Sequence, residues 1–159
     1  MEHSPNDYFS VLGQLQAFAA SDTTAIVRVE WNDTVAVKRL LDLGAPGILF
    51  PMIQSVEEAR RAVAATRYPP RGVRGVSGAT RATKFGRMSD YTVRIEDETA
   101  VLLQLETRTA VEQAEAIADV DGVSGIFFGP ADIAADIGKL GKSMDPEVLS
   151  LIHISEPTR

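Results

Sequence analysis

Residues 101–132 read VLLQLETRTAVEQAEAIADVDGVSGIFFGPAD. Two apolar runs, Val101–Leu105 and Val123–Phe128, flank a stretch of helical length. Each run ends in a distinctive polar group: Glu106 after the first, and Gly129-Pro130-Ala131-Asp132 after the second. Near-continuous apolar runs of this kind mark strands buried on both faces, as in parallel sheets covered by helices. Thr109 with Glu112 has capping-box spacing, so a helix is expected from Ala110 to Ala118. The unit is therefore strand–helix–strand, with a carboxylate at or just past each C-terminal strand end.

Working outward, the same unit recurs upstream. Ala25–Val29 and Gly47–Pro51 read as buried strands. Between them Thr34–Leu43 reads as a helix, started by Asn32 or Asp33 and stopped by Gly44. Ser55-Val56-Glu57-Glu58 is a capping box opening a helix to about Arg67, which Tyr68-Pro69-Pro70 breaks. Tyr8–Ala20 is expected to be a helix with Leu12, Leu15, Phe18 and Ala19 on its apolar stripe. Gly72–Gly78 can form an anion-binding nest but lacks the strand–glycine–helix arrangement of a nucleotide site, and reads as a loop. Ser89–Glu98 is expected to be helical, and a short helix should follow Asp132 to near Gly138.

Repeated β-α-β-α fits either a doubly wound open sheet or a (β/α)8 barrel. Polar groups at three strand ends, Arg28, Glu106 and 129–132, favour the barrel, whose chemistry converges at the C-terminal ends of its strands. A whole barrel takes about 250 residues, and this chain has 159. The expected fold class is α/β: a partial (β/α)8 TIM barrel.

Bulk composition narrows the function. The net charge of −6 argues against nucleic acid as a partner. No apolar run reaches the roughly 18 residues of a membrane helix, and the first residues lack a signal-peptide pattern, so no membrane partner and a cytoplasmic setting are expected. With no cysteine there is no thiolate ligand or nucleophile. Lys38 falls inside a helix, Lys84 in a loop, and Lys139 and Lys142 past the last short helix. None ends a strand, where a Schiff-base lysine would be expected, so carbonyl activation points to a divalent cation. Glu106 and Asp132 can bind such a cation together, or each can cap a helix or pair with an arginine. Arg28 can grip a substrate carboxylate or serve a structural ion pair. His3 on its own reads as a solvated terminal residue.

The sequence also resembles a known family. Glu2-His3-Ser4-Pro5-Asn6-Asp7, Val27-Arg28-Val29 with Trp31-Asn32-Asp33, Arg67-Tyr68-Pro69-Pro70-Arg71-Gly72, Gln104-Leu105-Glu106 and Phe128-Gly129-Pro130-Ala131-Asp132 are similar to the HpcH/HpaI aldolases. The similarity runs from about residue 1 to 148. It implies a metal-dependent pyruvate aldolase, a carbon–carbon lyase cleaving a 4-hydroxy-2-oxo acid to pyruvate and an aldehyde with Mg2+, Mn2+ or Co2+. It assigns metal ligation to Glu106 and Asp132, enolate and substrate contact to Arg28, acid–base work to His3 and its orientation to Asp42. Gln104, Gly129, Pro130 and Ala131 would line the substrate pocket. The competing readings are a citrate-lyase-type enzyme acting on an acyl-CoA ester, an inactive fragment, and a non-catalytic small-molecule or structural module.

The resemblance further implies that residues 1–148 hold about strands three to six plus the end of strand two, within a longer homo-oligomeric parent, and that this chain alone is inactive. The tail, residues 149–159, departs from the family. Back-translated, it resembles a sequencing-library adapter, so it is expected to be non-native and its His153 to carry no function.

Overall fold

The computed structural model describes residues 1–155. Four parallel strands, β1 (Ile26–Arg28), β2 (Gly47–Phe50), β3 (Ala100–Leu105) and β4 (Gly125–Phe128), form one sheet in chain order. Gly47 lies opposite Ile26 and Ala100, and Leu102 opposite Gly125. Each neighbouring pair is joined by helical crossovers, so every strand points the same way and all C-terminal ends lie at one rim of the sheet.

The helices are α1 (Tyr8–Phe18), α2 (Thr34–Asp42), α3 (Val56–Thr66), α4 (Tyr91–Glu98), α5 (Arg108–Glu112), α6 (Ala114–Ala118), α7 (Pro130–Asp136) and α8 (Pro146–Ser155). Their starts follow local chemistry. Asp33 caps α2 by accepting the Ala36 amide, while Asn32 instead donates to Glu58 O. Ser55 caps α3, but the Glu58 carboxylate reaches back to the Gln54 amide, one residue before the cap. Each such cap contributes about 1 kcal/mol. The α2 stripe Val37, Leu40 and Leu41 packs with Ile48, Phe50, Leu103, Leu105, Ala62 and Ile117 in the main core.

A second, smaller core lies under the long connection between α3 and β3. Tyr68, Tyr91 and Ile95 gather there with Ala82 and Met88. Arg74, fully buried, sits 4.7 Å from the Tyr68 ring centre and 5.6 Å from that of Tyr91. It donates to Asp42 Oδ1 (2.8 Å) and Tyr91 Oη (3.1 Å). The 72–78 stretch is irregular, as its composition implies.

Three expectations need correction. The helix after β3 starts two residues early, because Thr107 and not Thr109 accepts the Ala110 amide, and it breaks at Gln113 into α5 and α6. On α1 the buried residues are Val11 and Leu15, while Phe18 is exposed: a helix packed on one side buries an i, i+4 pair and no wider stripe. Helix α4 begins at Tyr91, with no side-chain cap from Asp90. Helix α8 continues into the tail as far as Ser155; residues 156–159 lie outside the described residues.

Candidate metal and substrate site

Strand periodicity builds the site. Gln104 and Glu106 are two residues apart, so both project from the same side of β3. Both are buried, at 3% and 2% exposure. Gln104 Nε2 donates to Glu106 Oε1 at 2.7 Å, and its Oε1 accepts from Arg28 Nη1 at 3.4 Å. Arg28, at the end of β1, is thus linked through one amide to the carboxylate beyond β3, across the intervening β2.

Asp132 arrives from the next crossover. Pro130 occupies the first turn of α7, which places Asp132 in that turn just past β4. There its charge acts on the Glu106 carboxyl. Burial, above all, pushes the Glu106 carboxyl above its ordinary range; the Met52 amide opposes this, and the charge and hydrogen bond of Asp132 and the charge of Glu2 add to the rise. Gly129 gives the pair room, since a Cβ there would lie 2.8 Å from Glu106 Cγ and 3.0 Å from its Oε1.

Two contributors were not expected from the sequence. Glu2 Oε2 lies 3.1 Å from Arg28 Nε as an ion pair, and its Oε1 lies 3.5 Å from His3 Nε2. Its adjacency to His3 was the only sequence signal. The Met52 amide donates to Glu106 Oε2 at 2.7 Å. A backbone contact of this kind leaves no side-chain signature.

The expected His3–Asp42 contact does not form within this chain. Asp42 ends α2, which runs back to the N-terminal ends of the strands, and there it pairs with Arg74. His3 is exposed at the opposite rim, beside Glu2. Lysines stay away from the rim: Lys38 lies within α2, Lys84 in the loop beside Gly44, and Lys139 pairs with Asp145 and Glu147.

The residues present fit a divalent cation. Two neighbouring carboxylates, one of them deeply buried, repel each other unless a proton or a cation lies between them. Both offer hard oxygen donors, which suit Mg2+ or Mn2+. No group of three or more His, Asp or Glu side chains that could hold an ion occurs among the described residues, so the remaining coordination positions would fall to substrate and water. Among the described residues no helix is long and apolar enough to cross a membrane.

Comparison with known proteins gives the family and the fold. The model of the HpcH/HpaI aldolase/citrate lyase family matches residues 1–156. A pyruvate aldolase from Rhizobium etli is 54% identical over 152 residues, covering 96% of this chain and 60% of that protein. A 4-hydroxy-2-oxo-heptane-1,7-dioate aldolase from Salmonella dublin is 50% identical over 153 residues, covering 96% of this chain and 58% of that protein. The crystal structure of an HpcH/HpaI aldolase/citrate lyase family protein from Burkholderia cenocepacia superposes with a TM-score of 0.91 at 39% identity, covering 98% of this chain and 64% of that one. The chain thus spans about 60% of the length of the curated relatives it matches, and its sheet is an arc of a β/α barrel.

Proposed function

Because this chain belongs to the HpcH/HpaI aldolase/citrate lyase family, we propose that it carries the site of a divalent-metal-dependent aldolase that reversibly cleaves a 4-hydroxy-2-oxo acid into pyruvate and an aldehyde. The observation that carries the reading is that Glu106 and Asp132 stand just past the ends of the adjacent strands β3 and β4, beside the Arg28–Gln104–Glu106 link. The names of the two curated relatives support the substrate class. We further propose that the cation is Mg2+, Mn2+ or Co2+, that the enzyme acts in the cytoplasm, and that the full-length protein is a homo-oligomer.

Glu106 and Asp132 would hold the cation, which as a Lewis acid draws charge from the 2-oxo group and carboxylate of the substrate. Arg28 places fixed positive charge where the enolate oxygen becomes negative. Gln104 holds that guanidinium by accepting from Nη1. His3 takes the 4-hydroxyl proton, with Glu2 beside its imidazole. The C3–C4 bond then breaks, its electron pair passes to the pyruvate enolate, and C4 becomes the aldehyde carbonyl. The enolate takes a proton at C3 from water to give pyruvate, and His3 returns its proton to solvent. The backbone of Gly129, Pro130 and Ala131 lines the same rim and borders the pyruvate portion.

Pyruvate release from a 4-hydroxy-2-oxo acid, measured on the full-length protein, tests this. Activity should vanish on chelation and return with Mg2+, Mn2+ or Co2+. Borohydride trapping of substrate on a lysine, or turnover of an acyl-CoA ester with none of the oxo acid, would overturn it.

A further inference from the structure

Met52 adopts a left-handed backbone, with φ of 53°, a conformation that non-glycine residues rarely take and that gathers at functional sites. It lies two residues past β2, on no surface loop, between Pro51 and Ile53, which are both buried. The pairing of β2 with β3 explains why the turn is there. Gly47 lies opposite Ala100, and the Ala100 amide donates to Pro46 O. Continued regularly, that ladder would bring the Met52 amide to Gln104 O. Instead the Ile53 amide donates to Gln104 O at 3.1 Å. One extra residue has entered the β2 side, which is a β-bulge. The amide it releases from the ladder, that of Met52, donates to Glu106 Oε2 at 2.7 Å.

We infer that the Met52 bulge is a positioning device for the metal site: it diverts one backbone amide from the sheet to fix the orientation of the Glu106 carboxylate towards Asp132. Gln104 Nε2 holds the other oxygen, Oε1. Each carboxylate oxygen has two lone pairs, so both remain able to bind a cation while the group cannot rotate. Met52 acts through Glu106 and is a positioning residue. The inference rests on the reading of Glu106 as a metal ligand, and its test separates the two.

Mn2+ affinity of the full chain, measured by electron paramagnetic resonance alongside thermal melting, reads the device without recourse to turnover. Met52→Gly keeps the amide and accepts positive φ, so it should keep the unsubstituted affinity. Met52→Val also keeps the amide but resists positive φ, and should bind Mn2+ about tenfold more weakly while still melting cooperatively. Equal affinity of the folded Val variant and the unsubstituted chain would overturn the inference. So would a loss in Met52→Gly as large as in Met52→Val, which would put the effect in the side chain. Should the Val variant not fold, the Met52 amide resonance of a 15N-labelled chain decides. It should move when Glu106→Gln replaces the charged acceptor, and an unmoved resonance would overturn the inference. Absence of Mn2+ binding by the unsubstituted chain would refute the metal reading alone, and the amide resonance would still judge the bulge.

Discussion

A methyl group on Gly129 would meet Glu106 Cγ and Oε1 and come within 3.3 Å of Gln104 Nε2. The Gly129 φ of −101° is one that alanine adopts freely, so Gly129→Ala tests the site without straining the backbone. It should weaken Mg2+ binding, measured calorimetrically, and lower the melting temperature modestly, because a buried and anchored side chain must shift to admit the methyl group; undiminished affinity would show that the carboxylate has space the structure denies it. Arg28→Ala should lower kcat of the full-length protein by about a hundredfold or more, the scale of losing one transition-state donor. A rise in KM alone would remove its role on the enolate. At this scale the positions of Arg28, Glu106 and Asp132, at or just past strand ends, are legible in the sequence, while their roles belong to the proposal. The sequence is silent on Met52, whose contribution is a backbone amide, and nearly so on Glu2, which follows no complete strand.

The elements decide which residues can meet. Helix α2 runs against the strands, so its last residue, Asp42, is carried to the far rim from His3 and closes on the buried Arg74. Nothing in the local sequence says which rim a helix end reaches; that follows from the handed return of each crossover. Asp42→Ala would leave a fully buried guanidinium without its carboxylate, a loss of about 3 kcal/mol. For a domain of this size that lowers Tm by about 10 °C, while cation affinity at the other rim should hold. An unchanged melting curve would mean that Arg74 is neutralised elsewhere. The strands were legible because four continuous apolar runs admit little else. The start of α5 was not: Thr109 and Glu112 meet the spacing of a capping box, but Glu106 is anchored at the strand end, and the chain turns at the first hydroxyl beyond it, that of Thr107.

For the molecule as a whole, the order β1-β2-β3-β4 leaves one side of β1 and one side of β4 without a strand partner among the described residues. Ile26 and Phe127 on these strands are exposed. Apolar edge strands invite pairing with other chains, so the 159-residue chain should self-associate when expressed alone; a monodisperse monomer by light scattering would contradict this. The proposed function needs the ends of β3 and β4 to bring Glu106 and Asp132 into one divalent-cation site. Calorimetric titration of Mg2+ into the full-length protein and its Glu106→Gln and Asp132→Asn variants tests it most directly. One ion per chain is expected, lost in each single variant while the fold persists. Binding of that ion undiminished in both variants would contradict it.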